Sequence, residues 1–183
     1  KRGILIKNSK FIEELTEIDA VVFDKTGTVT KGELSLTEVG CADGVSEDEV
    51  ISAASAVAAA STHPVSRAVV SAAGERAVNF DRDLDIKEIS GMGMEGSSAD
   101  GATVRFGKRE WISGFCDIRD GFGDNAGGSV SYVEKNGRLL GYLSFGDTVR
   151  ENAADSIKEL NALGITETVM LTGDREAPAR AIC

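Results

Sequence analysis

The sequence predicts an α/β chain in which one domain is inserted into another. A parallel, βαβ-like unit is split between the two ends, and an α+β domain with an antiparallel sheet lies between them. Three observations carry this. The apolar, β-branched run Val21-Val22-Phe23 stops at Asp24, and Thr168-Val169-Met170-Leu171 stops at Thr172-Gly173-Asp174. Both read as buried strands that deliver polar groups to their carboxyl ends, where parallel α/β sheets hold ligands. Between them the texture changes to short alternating strands with a helical pair, and it reverts at Gly146-Asp147. The expected bounds are 1–32 and 146–183 for the outer unit and 33–145 for the inserted one. Thr30-Lys31-Gly32 and Gly146-Asp147-Thr148 are expected to form the hinge between them.

The elements follow in order. Gly3 to Lys7 reads as a brief strand or an extended lead-in, and Ser9 to Ile18 sets Phe11, Ile12, Leu15 and Ile18 at helical spacing. After the strand ending at Asp24, Gly32 to Val39 alternates apolar and polar residues, as a half-buried antiparallel strand does. Ser46-Glu47-Asp48-Glu49 is a capping box that opens an alanine-rich helix to about Ala60. Pro64 suits the first position of a second helix, to about Val78. Short strands are expected at Ile86–Ile89, Met94–Ser98 and Thr103–Phe106, and the glycine-rich stretch Gly121–Gly128 is expected to be a mobile loop. Ser129–Val133 and Arg138–Phe145 flank Asn136-Gly137, a strong hairpin signal. Thr148-Val149-Arg150-Glu151 is expected to cap a helix carrying Ala153, Ile157 and Leu160 on one face, with Gly164 as its stop.

Composition narrows the function. With 183 residues the chain can bury a real core, and 42% hydrophobic with 27% charged residues is ordinary for a globular protein. A net charge of −10 argues against a nucleic-acid groove binder, and an acidic membrane surface would repel the chain. Cys41, Cys116 and Cys183 are widely spaced, which argues for a reducing compartment without a disulfide framework or a thiolate metal site. His63 is the one histidine, so a multi-histidine metal centre is excluded. No apolar run approaches the ~18 residues that span a bilayer.

The chemistry concentrates in Asp24-Lys25-Thr26-Gly27-Thr28. A carboxylate at a strand end, followed by a loop rich in N–H and O–H donors, can act as a nucleophile toward a phosphoryl group. The plain alternative is a strand, a polar turn and a helix cap. Ser61-Thr62-His63-Pro64 offers an imidazole on a backbone fixed by proline, although a histidine at a helix start is often only a cap. Gly91-Met92-Gly93 is a pair of glycines without Cβ atoms, where a backbone can come close to a flat base or to phosphates.

Asp24-Lys25-Thr26-Gly27-Thr28-Val29-Thr30 resembles the phosphorylation motif of P-type ATPases, cation pumps that pass through an aspartyl-phosphate. Met170-Leu171-Thr172-Gly173-Asp174 and Asp147-Thr148-Val149-Arg150 match two further motifs of that family, and Ser61-Thr62-His63-Pro64 is similar to the Ser-x-His-Pro element of its heavy-metal branch. The resemblance implies a Rossmann-like, haloacid-dehalogenase-type phosphorylation domain, incomplete here, with an inserted nucleotide-binding domain. It implies Asp24 as nucleophile, assisted by Lys25, Thr26, Thr172 and Asp174, with Thr28, Gly173, Asp147 and Arg150 at the phosphates and the hinge. His63, Pro64, Gly91, Gly93 and Gly107 would bind the nucleotide. The cofactors implied are ATP and Mg²⁺, the latter held at Asp24 and Thr26. The partners implied are a heavy-metal cation, bound by membrane segments beyond this chain, and the protein's own transmembrane and actuator domains. No nucleic acid is implied, and the location is the cytoplasmic face of a membrane.

The chain departs from the family pattern in several places. Ala58 stands where the family has a glutamate, so looser nucleotide discrimination is expected. Gly107-Lys108 replaces a Gly-Asn pair and leans toward zinc, cadmium or cobalt over copper. Arg175 follows Thr172-Gly173-Asp174 where asparagine is commoner. The family's later lysine and Gly-Asp-Gly-x-Asn-Asp loop do not occur before Cys183, so the expectation is a fragment that binds nucleotide weakly and turns over negligibly. Two competing readings remain. One is a non-catalytic nucleotide-binding module. The other is a soluble phosphatase, which usually places a second aspartate where this chain has Thr26.

Overall fold

A computed structural model of the chain describes residues 5–8 and 10–171. The chain divides into two compact units, Lys1–Gly32 with Val149–Cys183, and Glu33–Thr148.

In the first unit, Leu5–Asn8 carry no regular structure; Gly3 and Ile4 of the expected strand lie outside the described residues. Helix α1 (Lys10–Glu14) runs into a single tighter turn, Leu15–Glu17. Strand β1 (Ala20–Asp24) pairs in parallel with the last strand, Glu167–Leu171, in a register that runs from Ala20 opposite Glu167 to Asp24 opposite Leu171. Neither strand is the buried one that its apolar run predicts. Val21 and Phe23 are half-buried, but Val22 is 59% exposed and Leu171 64%. With only two strands in this sheet among the described residues, alternate side chains on one face are left exposed.

The second helix of this unit also starts differently. Ala153–Ala162 begins after Asn152, whose side chain makes no cap hydrogen bond, and Thr148 does not cap it either, since its hydroxyl pairs with Ser35 Oγ at 2.5 Å in the other unit's sheet. Its end is as expected. Gly164 takes φ +95°, the Gly164 N–H donates to Asn161 O and the Ile165 N–H to Leu160 O. This is the double hydrogen bond of a Schellman motif, whose left-handed position favours glycine.

The second unit is a six-stranded sheet with two helices across one face. Its strands are β2 (Thr30–Cys41), β3 (Asp85–Ile89), β4 (Gly93–Ser97), β5 (Thr103–Gly107), β6 (Ser129–Lys135) and β7 (Arg138–Val149), in the spatial order β2-β7-β6-β5-β4-β3. Pairing from β3 through β7 is antiparallel throughout. The Asn136-Gly137 turn has φ of 52° and 80°, the pair of positive angles that a two-residue hairpin turn requires.

Helix α2 (Glu47–Ala58) is capped by Ser46, whose hydroxyl accepts from the Glu49 N–H at 3.3 Å. Helix α3 (Pro64–Glu75) opens on Pro64 at its first position. Their small residues, Ala53, Ala54, Ala68 and Ala73, let both helices lie close on Met94, Phe106, Leu143 and Phe145 of the sheet, and Val57 and Val69 complete the same core. At Gly96 a Cβ would stand 2.7 Å from Val57 Cγ1, so the sheet is also trimmed for this approach.

A short helix, α4 (Arg109–Ile112), and the segment after it cover the opposite face with Ile112, Phe122, Tyr132 and Tyr142. The expected mobile loop Gly121–Gly128 is anchored instead. Phe122 is buried, its carbonyl accepts from Tyr132 Oη at 2.7 Å and from Arg109 at 2.9 Å, and Ser144 Oγ donates to Gly127 O. One aromatic residue and one arginine outweigh the freedom of the glycines around them.

Candidate functional site

In the first unit, Asp24 ends β1 with its side chain exposed, and the chain turns at once. Thr26 has φ −76°, ψ 120° and Gly27 has φ 78°, ψ −8°. These are the central angles of a type II turn, which demands a positive φ at its third residue and so accounts for Gly27. Thr30 holds the turn closed. Its hydroxyl, fully buried, donates to Lys25 O at 2.9 Å and accepts from the Gly27 N–H at 3.2 Å. Lys25 is buried, whereas Thr26 and Thr28 are exposed.

Arg150 supports the same loop from the second crossing of the chain. Its backbone N–H donates to Val29 O at 2.9 Å, Nε to Thr28 O at 3.0 Å and an Nη to Gly27 O at 2.9 Å. The guanidinium is therefore engaged with loop carbonyls. Asp147, three residues earlier, belongs to the other unit, where it lies on β7. Thr172, Gly173 and Asp174 lie outside the described residues, as do Arg175 and Cys183. The parallel register nevertheless sets Leu171, the residue before Thr172, opposite Asp24.

The oxygen donors at this loop are of the kind that a hard cation such as Mg²⁺ takes. Among the described residues, no group of three or more His, Cys, Asp or Glu could hold a metal by itself.

The second unit has a cavity of about 370 Å³ where α3 begins and β3, β4, β5 and β6 meet at one end of the sheet. His63, Gly91, Gly93 and Gly107 all line it; Pro64 does not, and acts by fixing the helix start behind His63. His63 is also the cap of α3, since Nδ1 accepts from the Val65 N–H at 3.3 Å and Ser61 Oγ accepts from the His63 N–H at 3.2 Å. With Nδ1 accepting, the neutral ring carries its hydrogen on Nε2. Capping and lining the cavity are compatible, because the cap contact uses one edge of the ring and leaves its faces.

The glycines divide into two kinds. Gly91 takes φ +71° with no atom within 4 Å of a would-be Cβ. Gly93 and Gly107 stand opposite each other in the β4–β5 register, and Trp111 packs over both. A Cβ on Gly107 would meet Met92 O, Trp111 Cε3 at 2.8 Å and Gly93 Cα at 2.9 Å. Their absent side chains serve contacts within the protein first.

Sequence reasoning missed Glu88, Met92, Phe106, Lys108, Ser129 and Ser131, which also line the cavity. For Glu88 a signal was present: Leu84, just before the strand, and Ile86 within it set an alternating apolar series that the acid at Glu88 interrupts. Burial pushes the Cys116 thiol up to about 11, and burial with Glu47 and Glu49 nearby raises Cys41. Ala58, at the end of α2, is fully buried and does not reach the cavity.

Residues 18–183 match the family described as haloacid dehalogenase-like hydrolase. A zinc-transporting ATPase of Bacillus subtilis (strain 168) is 36% identical over 187 residues, covering 100% of this chain and 29% of that protein. A copper-exporting P-type ATPase of Mycobacterium tuberculosis (strain ATCC 25618 / H37Rv) is 36% identical over 185 residues, covering 98% and 24%. Among solved structures, a zinc-transporting PIB-type ATPase in its E2.Pi state superposes with a TM-score of 0.80 at 35% identity, covering 99% of this chain and 30% of that one. The chain thus spans under a third of the length of these relatives. It belongs to the haloacid dehalogenase-like hydrolase family and, within it, is similar to the catalytic regions of heavy-metal P-type ATPases.

Proposed function

From that membership, we propose that the chain is the ATP-binding and autophosphorylating region of a P-type cation-transporting ATPase, on the cytoplasmic face of a membrane. The observation that carries the proposal is Asp24: an exposed carboxylate at the end of a parallel strand, followed by a closed type II turn. In this reading Glu33–Thr148 binds the nucleotide, and the unit that holds Asp24 accepts the phosphoryl group.

An Asp24 oxygen attacks the γ-phosphorus of ATP; the new O–P bond forms as the bond to the β-phosphate oxygen breaks, and ADP leaves. Lys25 and the Thr26 and Thr28 hydroxyls offset charge on the transferring group, with Thr172, Gly173 and Asp174 assigned to the same task. Asp24 and Thr26 would hold Mg²⁺, which supplies charge neutralisation when bound. Arg150, with its guanidinium on the Gly27 and Thr28 carbonyls, keeps the turn in shape. Thr26 occupies the place of a hydrolytic base, so the phosphorylated Asp24 should persist, which suits a pump and not a phosphatase.

In the cavity, the His63 imidazole stacks on the adenine, and the open left-handed backbone at Gly91 lets the base come close. The cargo we propose is a heavy-metal ion, with zinc, cadmium or cobalt favoured over copper by Gly107-Lys108. Identity does not choose between them, because the zinc- and copper-transporting relatives are equally similar at 36%. The partners are the protein's own transmembrane and actuator domains.

The test is phosphorylation of the full-length protein with γ-labelled ATP. Acid-stable label should appear and should vanish in Asp24→Asn while nucleotide binding persists; label that survives the substitution refutes the assignment. For His63→Ala, unchanged ATP affinity would refute the stacking role. A second reading has its own support: every described residue that lines the cavity belongs to Glu33–Thr148, so this chain alone can be a nucleotide-binding module without chemistry. Binding of ATP without label would assign it that role.

A further inference from the structure

The cavity in Glu33–Thr148 has a direction. Glu88 stands opposite Met94 in the β3–β4 register, Met94 opposite Phe106 in β4–β5, and Phe106 opposite Val133 in β5–β6. Directly opposed residues share a face of the sheet, and every second residue returns to it. Glu88, Met94, Phe106, Ser131 and Ser129 therefore lie on one face, the face that α2 and α3 cover elsewhere. Strands are about 4.8 Å apart, so the three steps from β3 to β6 span about 14 Å.

Among the described residues, Glu88 is the one carboxylate lining this cavity, at its β3 end, and Lys108 the one ammonium, beyond β5, with Ser129 and Ser131 next to it on β6. The lining between is largely apolar: Met92, Met94 and Phe106. Among the described residues, none hydrogen-bonds or ion-pairs with the Glu88 carboxylate.

We propose that Glu88 is a specificity-determining residue, which selects a 6-amino purine by accepting a hydrogen bond from its exocyclic amine. This rests on the nucleotide site proposed above. An ionised carboxylate can only accept. The 6-amino group of adenine donates to it, whereas the 6-oxo group of hypoxanthine is itself an acceptor and is repelled. The same layout turns the phosphates away from Glu88 toward Lys108, Ser129 and Ser131, since a triphosphate beside a carboxylate would add repulsion. Charge-assisted hydrogen bonds are the strong ones, but Glu88 is solvent-exposed, which limits the discrimination to about five- to tenfold.

The test is calorimetric titration of this chain with ATP and with ITP, which differ in the group at position 6. Wild type should bind ATP about five- to tenfold more tightly. Glu88→Gln, whose amide can donate as well as accept, should bring the two within about twofold. Equal affinities in wild type, or a preference that survives Glu88→Gln, overturn the role of Glu88 and leave the nucleotide site standing. Failure of wild type to bind either nucleotide overturns the site itself, and the role of Glu88 with it.

Discussion

Gly107→Ala should destabilise the Glu33–Thr148 unit more than any ligand argument would suggest. The new methyl carbon would overlap Met92 O and stand 2.8 Å from Trp111 Cε3 and 2.9 Å from Gly93 Cα. Non-bonded carbons prefer about 3.5–4.0 Å, so each contact is short by about an ångström. Overpacking a tight site costs about 1–3 kcal/mol. The upper end applies here, because two of the three opposing atoms are backbone and cannot turn aside. At roughly 4 °C per kcal/mol for a unit of this size, the melting temperature should fall by about 12 °C. Gly91→Ala is the control: its φ of +71° imposes about 1 kcal/mol of strain, but nothing lies within 4 Å. Urea melts of both variants, paired with ATP titrations, separate the two uses of glycine. Gly107→Ala should lose mainly stability, and Gly91→Ala mainly nucleotide affinity. An unchanged melting temperature and urea midpoint for Gly107→Ala would refute the close approach as the reason for that glycine.

Three further outcomes are expected. Arg150→Ala removes both side-chain hydrogen bonds to the turn, so amide exchange of Gly27 and Thr28 should rise about fivefold, the equivalent of about 1 kcal/mol at an exposed site. Arg150→Lys should not restore protection, since one ammonium cannot reproduce the fork that spans two carbonyls. Glu134 is fully buried, accepts from Arg105 at 2.9 Å and takes the Gly137 N–H, so Glu134→Ala should cost about 3 kcal/mol in urea unfolding; a loss below 1 kcal/mol would show that Glu95 alone satisfies Arg105. Tyr142 donates to Glu38 at 2.5 Å, and this bond, with burial, pushes its phenol from 10.0 up to about 12. The folded state then holds a proton that the unfolded chain releases, so this contribution is intact below pH 10 and is lost between pH 10 and 12. Tyr142→Phe should flatten that part of the stability profile.

Local chemistry was the part of this molecule that could be read without coordinates. Ser46 with Glu49, Pro64 at a helix start, Gly164 after a helix and Asn136-Gly137 in a hairpin are each decided within about four residues of chain, and each stands where its spacing puts it. The turn after Asp24 belongs with them, because Gly27 and Thr30 lie within six residues of the acid that they position. The misplaced helix start at Thr148 has a non-local cause. A favourable capping sequence lost to the pairing of Thr148 with Ser35, 113 residues away. The anchored loop at Gly121–Gly128 has the same kind of cause, since Tyr132 and Arg109 reach it from a strand and a helix that no local pattern connects to it.

The same distinction separates residues that one motif groups together. Asp147-Thr148-Val149-Arg150 reads as one segment, yet the division between the units falls between Thr148 and Val149. Spacing in sequence cannot say that Arg150 spends its donors on the carbonyls of residues 122 and 123 positions earlier. Gly91-Met92-Gly93 likewise reads as one backbone element. Only the β4–β5 register shows that Gly93 answers to Gly107 and Trp111 while Gly91 stands open to the cavity. A motif names residues that occur together; the partners of each residue are set by the sheet register and the chain crossings. It follows that substitutions within one motif should fall into different phenotypes, stability for Gly93 and Gly107, nucleotide affinity for Gly91, and loop order for Arg150.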